Sequence, residues 1–373
     1  MQKPTAEPAA QSAQSAQSAQ SARSAEAQHA AARLDAAAVE RYLAGHVPGF
    51  SGPLEVQKTP TGQSNPTFIL SSPSGRYVLR RKPPGQLLKS AHAVDREFRV
   101  QRALAETDVP VAKMHVLCED ESVIGAMFYV MECVDGDVHF DPRLPDKDPE
   151  ARSAMFDDMN RVLAALHDVD YNAVGLEDFG KPGSYFARQL SRWTKQYRAS
   201  ENETIGDMDA LIAWLEANMP PDDGIATLVH GDYRIDNLIY AEDRPVVLAV
   251  LDWELSTLGH PYSDLAYQCM QWRMPPGEET RGLDGVDRKA NGIPTEEEYV
   301  ARYCERRGLS GIPNFDFCLA FSFFRMAAIV QGVKKRGLDG NASNPERALR
   351  MGTWVPVFAR KGVEAASGER ADG

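Results

Sequence analysis

Cysteine is scarce: the chain of 373 residues has five, Cys118, Cys133, Cys269, Cys304 and Cys318. The number is odd, no Cys-x-x-Cys occurs, and the surroundings are apolar, so reduced core thiols are expected rather than a disulfide framework. No run of 18 apolar residues is present, and the N-terminus lacks the apolar segment of a signal peptide. Positive charge is short as well: 41 Lys and Arg stand against 53 Asp and Glu, a net charge of −12, whereas nucleic-acid binding favours a basic face. The expectation is a cytoplasmic protein without a membrane or nucleic-acid partner. Three catalytic signatures are also missing. There is no Gly-x-Ser-x-Gly elbow for a nucleophilic serine, no Gly-x-Gly-x-x-Gly dinucleotide turn, and no Cys/His spacing suited to zinc.

What remains is ordinary for a soluble globular chain, with 43% hydrophobic and 25% charged residues and enough length for two cores. Residues 1–33 repeat Gln, Ser and Ala and offer few large apolar side chains, so they read as a disordered tail. A helix is expected over Leu34–Val47, then strands at Leu54–Lys58, Thr67–Ser71 and Arg76–Arg80. Another helix spans Ser90–Ala105, and two apolar strands follow within Val111–Cys118 and Ala126–Cys133. After Pro149 the pattern turns helical, with Met155, Met159, Val162 and Leu166 forming a core stripe. Helices are expected at Gly183–Ser200, Asp207–Asn218, Phe315–Arg336 and Pro345–Lys361. Met274–Pro294 reads as a long loop of the kind that can serve as a lid, and Thr295-Glu-Glu-Glu298 as a capping box.

The densest chemistry lies in Leu228-Val-His-Gly-Asp-Tyr-Arg-Ile-Asp-Asn237 and in the β-branched run that ends in Asp252-Trp253-Glu254. The spacing suits a short hairpin that returns the Asp252 carboxylate beside the Asn237 amide. Asp232 is then an acid placed to meet a hydroxyl proton. Asn237 and Asp252 form a small set of hard oxygen ligands, which suits Mg²⁺ that keeps waters and binds phosphates. An acid, an Asn five residues later and a second Asp on the metal are the parts of phosphoryl transfer. His230 reads as structural rather than as a base, and Asp236 and Glu254 as supporting neighbours.

These motifs resemble the aminoglycoside phosphotransferase/choline kinase superfamily. His230-Gly231-Asp232 stands where protein kinases have His-Arg-Asp, and Asp252-Trp253-Glu254 where they have Asp-Phe-Gly. The wording Gly62-Gln-Ser-Asn-Pro-Thr67, Val78-Leu-Arg-Arg-Lys-Pro-Pro-Gly85 and Leu251-Asp-Trp-Glu-Leu-Ser-Thr-Leu-Gly259 is similar to one branch. That branch is the kinase domain fused ahead of acyl-CoA dehydrogenases, with its stand-alone bacterial relatives. The resemblance runs from about Leu54 to Trp354 and implies an α+β, bilobal protein-kinase-like fold. The N-lobe, 34–135, would hold an antiparallel sheet and one αC-like helix, and a mainly helical C-lobe would span 136–373. ATP and Mg²⁺ are implied, with a functional link to an acyl-CoA dehydrogenase.

Carried over residue by residue, Gly62, Ser64 and Asn65 belong to the loop over the nucleotide phosphates, and Arg80 takes the place of the kinase lysine, with Arg81 as its competitor. Glu97 is Arg80's partner, while Glu132 and Val134 flank the hinge that meets the adenine edge. Asp264 resembles a buried structural aspartate that ties the catalytic loop.

The implied reaction is transfer of the ATP γ-phosphoryl group to a hydroxyl of a small molecule, with an anionic hydroxy acid or hydroxyacyl-CoA as the expected acceptor. The alternatives are a nucleotide-binding pseudokinase or partner-binding module, or a kinase for choline, homoserine or an aminoglycoside. The anionic acceptor follows from two helical stretches that contain several basic residues in an acidic chain. Arg188, Arg192, Lys195 and Arg198 share one helical face beside Tyr197, and Arg325 lies within Phe321-Ser-Phe-Phe-Arg-Met326. Arg192, Tyr197 and Arg325 are the acceptor-site candidates from these stretches, and Arg234 of the loop motif is a further one.

Overall fold

The computed structural model describes residues 34–59, 65–83, 93–342 and 344–368. The Gly62 and Ser64 assignments lie outside them. Two compact units emerge: unit 1 comprises residues up to Arg99 plus Lys113–Cys133, and unit 2 comprises Val100–Ala112 plus Val134 onward.

Unit 1 is built on an antiparallel sheet of five strands in the order β1-β2-β3-β5-β4. These are β1 (Glu55–Lys58), β2 (Thr67–Ser72), β3 (Gly75–Arg81), β4 (Met114–Cys118) and β5 (Phe128–Glu132). Helix α1 (Ala36–His46) starts where Asp35 Oδ1 accepts the Ala38 amide at 3.0 Å, and it buries Val39 and Leu43 with Leu70, Leu79 and Val130. Alternation along β3 puts Tyr77, Leu79 and Arg81 on the buried face and Arg80 on the other. Opposite Arg80 in the register stands Tyr129. Helix α2 (Val94–Leu104) brings Glu97 to that second face.

Unit 2 is mainly helical. Its helices are α3 (Pro149–Asp168), α4 (Tyr185–Ser200), α5 (Gly206–Ala217), α6 (Tyr262–Arg273), α7 (Arg288–Asn291), α8 (Glu296–Arg306), α9 (Phe315–Leu338), α10 (Pro345–Gly352) and α11 (Val355–Ala366). Two short ladders join them: β6 (Thr227–Val229) with β9 (Thr257–Gly259), and β7 (Leu238–Tyr240) with β8 (Val247–Val250). The Met155, Met159, Val162 and Leu166 stripe is core, as its period predicts. Thr295 and Glu298 make both bonds of the capping box.

Two expectations change. The helix foreseen over Pro345–Lys361 divides into α10 and α11, because Pro356 sits in the first turn of a new helix and cannot continue the old one. The Met274–Pro294 stretch contains the short helix α7, capped by Asp287. Among the described residues, α9 is long and apolar enough to cross a membrane by composition, and most of it is buried inside unit 2.

Candidate active site

Strand β6 ends at Val229 and runs straight into His230, whose backbone amide donates to Asp264 Oδ2 at 2.6 Å. The next amide, from Gly231, donates to Asp264 Oδ1 at 2.9 Å. One fully buried carboxylate thus holds the turn that begins the His-Gly-Asp segment. Burial pushes the Asp264 carboxyl up, but His167 and the His230 amide outweigh it and hold the group below the usual carboxylate range. His167, 3.5 Å away through Nε2, is itself pushed down by burial, against the pull of Asp264. Neutral His167 donates from Nε2 to the carboxylate and accepts the Tyr303 hydroxyl at Nδ1, 2.7 Å away. Gly231 has φ +85, and a Cβ there would lie 2.8 Å from the Leu255 carbonyl oxygen, so glycine is required.

His230 is occupied by the backbone. Its Nε2 donates to the Leu251 carbonyl at 2.8 Å and its Nδ1 accepts the Asp232 amide at 3.2 Å, with Trp253 packed edge-on at 4.9 Å. The ring links the loop before Asn237 to the strand end before Asp252.

Asp232 receives three side chains. The Tyr267 hydroxyl donates to Oδ1, Asn237 Nδ2 donates to Oδ2 at 3.0 Å, and Arg234 Nε lies 3.3 Å from Oδ1. Burial, then the Asp232 charge, pushes the Tyr267 hydroxyl well above its ordinary range, so it stays a donor. Asn237 Nδ2 also donates to the Asp232 carbonyl at 2.8 Å, which aims the amide oxygen away from the acid. The β7–β8 hairpin pairs Leu238 with Val250, and the Leu251 amide donates to the Asn237 carbonyl at 2.8 Å. Asp252 follows in the left-handed region, φ 63 and ψ 61, a conformation that non-glycine residues rarely adopt and that clusters at functional sites. The Trp253 indole anchors this corner by donating to the Val250 carbonyl at 2.9 Å.

Among the described residues, no three His, Cys, Asp or Glu side chains are grouped to hold a metal alone. Asn237 and Asp252 fit a different role: two oxygen donors for a hard cation that shares its other positions with water and phosphate.

In unit 1, Arg80 Nε lies 3.1 Å from Glu97 Oε2. Glu97 is 1% exposed and also accepts Asn65 Nδ2 at 2.7 Å and the Tyr129 hydroxyl at 3.0 Å. Asn65 therefore ties the end of the loop to the ion pair. Arg81 points the other way, buried over the Phe68 ring at 5.6 Å, and burial lowers its pKa. Glu132 is exposed and its amide donates to the Lys113 carbonyl at 2.8 Å, while Val134 is half-buried.

The acceptor candidates are not brought together. Arg234 lies beside Asp232 and 3.1 Å from Asp236 Oδ2, and Arg281 also meets Asp236. Burial opposes the Arg234 charge, but Asp232 and its neighbours outweigh this and hold the guanidinium charged. Arg325 is buried and donates from Nη2 to the Gly231 carbonyl at 2.6 Å, its guanidinium stacked near Tyr267. It reaches the site through the loop backbone. Arg192 stands exposed on α4 over Trp193. Tyr197 offers an acceptor no surface: it is completely buried, on the face of α4 that carries Leu190 into the core, and burial pushes its hydroxyl up to about 12. Sequence reasoning missed Tyr267. The available signal was its position three residues after Asp264, on the same side of a helix.

The phosphotransferase enzyme family model matches residues 55–302. The chain belongs to that family. It is 49% identical over 309 residues to acyl-CoA dehydrogenase family member 10 of Mus musculus, covering 82% of this chain and 29% of that protein. It is 43% identical over 335 residues to acyl-CoA dehydrogenase family member 11 of Rattus norvegicus, covering 87% and 42%. The chain thus spans less than half the length of these relatives. A crystal structure from Ralstonia eutropha JMP134, provisionally assigned as an aminoglycoside phosphotransferase, matches with a TM-score of 0.83 at 51% identity, over 90% of this chain and 99% of that one. A thermostable mutant of aminoglycoside phosphotransferase APH(4)-Ia, in ternary complex with AMP-PNP and hygromycin B, matches with a TM-score of 0.59 at 16% identity, over 89% and 99%. The fold is α+β and kinase-like, with an antiparallel N-terminal sheet and a helical C-terminal region.

Proposed function

We propose that the protein transfers the γ-phosphoryl group of ATP, with Mg²⁺, to a hydroxyl of an anionic small molecule. The observation that carries this reading is the arrangement around Asp232: a carboxylate fixed by Tyr267 and Asn237 on a loop whose backbone Asp264 holds. Asp232 accepts or orients the hydroxyl proton, and Tyr267 and Asn237 limit its rotation. Asn237 and Asp252 would hold Mg²⁺, which when bound neutralises phosphate charge. Arg80, held by Glu97, supplies further positive charge to the nucleotide. Such sites act mostly by positioning and charge neutralisation. Arg234 is the acceptor-side cation, because it lies at the catalytic carboxylate and keeps its charge. The names of the long relatives support a functional link to an acyl-CoA dehydrogenase.

The test is a panel of hydroxy acids, hydroxyacyl-CoA thioesters, choline, homoserine and aminoglycosides with ATP and Mg²⁺, run on the wild type and on Asp232→Asn. Phosphorylation of an anionic alcohol, with kcat reduced about 10²–10⁴-fold in the variant, is the expected result. KM for that acceptor should rise with salt. Wild-type kcat in Asp232→Asn removes the loop assignment, and preference for choline or an aminoglycoside removes the anionic acceptor.

A further inference from the structure

Helix α6 is buried along its whole length, all 12 residues of it. Polar side chains on such a helix need partners. Asp264 takes two backbone amides, and Tyr267 gives its hydroxyl to Asp232. Gln268 accepts the Tyr299 hydroxyl at 2.6 Å, and Arg273 meets Glu296 at 2.7 Å. Gln271 is the exception. It is 6% exposed, yet neither its Oε1 nor its Nε2 has a hydrogen-bond partner among the described residues.

Gln271 lies one turn beyond Tyr267, so the two share a face. Both line a cavity of about 100 Å³ together with Arg234. Glu279, Thr280 and Arg281 form one polar stretch of its wall, and the rest is apolar, including Met274, Met326, Met351, Trp354 and Phe358. Thioether walls adapt to irregular apolar shapes. An apolar cavity of about 150 Å³ takes benzene, so this one suits a chain of a few carbons.

We infer that Gln271 is a specificity-determining residue that pairs, through both amide atoms, with a neutral group on a short apolar segment of the acceptor. That group both gives and takes a hydrogen bond, as a carboxamide or a second hydroxyl does. A carboxylate would leave the Gln271 donor answered and its acceptor idle; a hydrocarbon would leave both idle, and an unanswered buried amide is costly. The inference rests on the phosphotransferase reading for the role of the neighbouring Tyr267–Asp232 pair, while the amide and the cavity stand without it.

The test uses Gln271→Met, which keeps length and removes both hydrogen-bonding atoms. Without ligand the variant should melt no lower than wild type, because the amide it loses serves nothing in the free protein. A lower melting temperature would show a structural amide and overturn the proposal. Binding of propanamide, propanol and propane to the full-length protein is then followed by tryptophan fluorescence, since Trp354 lines the cavity. Wild type should bind propanamide or propanol roughly 10–100-fold more tightly than Gln271→Met, and propane no more tightly. Whichever polar probe loses more identifies the group. Equal affinity in both proteins, or no binding of either polar probe to wild type, overturns the assignment. Failure of the alcohol panel with Gln271-dependent binding intact would remove the kinase reading alone; phosphorylation with unchanged probe affinity would remove the Gln271 role alone.

Discussion

A lone guanidinium and a lone carboxylate would each be expensive to bury, but Arg80 and Glu97 share a site with Asn65 and Tyr129. Glu97 is therefore a hub rather than one end of a surface pair. Its Oε1 and Oε2 are both answered, so losing the side chain strands two donors as well as the cation. Glu97→Ala should raise KM for ATP or lower kcat, and should cost stability of about 3 kcal/mol. ATP kinetics and denaturant unfolding on the same preparation check both parts. Unchanged ATP kinetics beside a clear loss of stability would make the cluster purely structural. Arg81, on the core face of the same strand, should leave ATP kinetics alone when replaced by methionine.

The elements that build the Asp232 loop are short, and their ends carry the residues assigned to the candidate site. Strand β6 stops at Val229, the loop turns at Gly231, and the β7–β8 hairpin returns the chain to Asp252. Three separated elements fasten this loop: α6 through Asp264, the end of β8 through Leu251, and α9 through Arg325. The sharpest constraint is at Gly231, where both the positive φ and the nearby Leu255 carbonyl exclude a side chain. Gly231→Ala should therefore destabilise by about 1–3 kcal/mol and lower kcat by displacing Asp232. Circular-dichroism melts and steady-state kinetics measure the two effects. A variant that melts and turns over like wild type would show that the loop is not under this constraint.

For the molecule as a whole, acid sensitivity follows from buried groups whose pKa values lie below their ordinary ones. Burial lowers His167 and His260, so the unfolded chain binds more protons than the folded one below the ordinary histidine pKa of about 6.5. Their contribution is complete above that value and is lost as pH falls through the folded pKa. Asp264 acts in the same direction at lower pH, below the ordinary carboxylate value of about 3.9. The melting temperature should therefore be level near pH 7.5 and fall as the pH drops below about 6.5. His167→Asn should flatten the first part of that fall. A wild-type melting temperature that holds steady from about pH 7.5 to 5.5 contradicts the assignment of neutral buried histidines.

Much of the fold was legible because it is written locally. Short apolar runs marked β4 and β5, a four-three-four stripe marked α3, and Thr295 with Glu298 marked the start of α8. The loop's local form was legible too, since the residues proposed for the site lie within one turn and one hairpin, from His230 to Asp252. Spacing also pointed to a hairpin between Asn237 and Asp252, and β7 pairs with β8 there. Spacing says which way a side chain leaves its own element, not what it meets. Only packing between elements distant in the chain sent Arg325 to the Gly231 carbonyl, Tyr267 to Asp232, Arg80 rather than Arg81 to Glu97, and Tyr197 into the core. Gln271 is the clearest case: in sequence it is one more polar residue on a helix, and only the packing around α6 leaves its amide buried without a partner among the described residues.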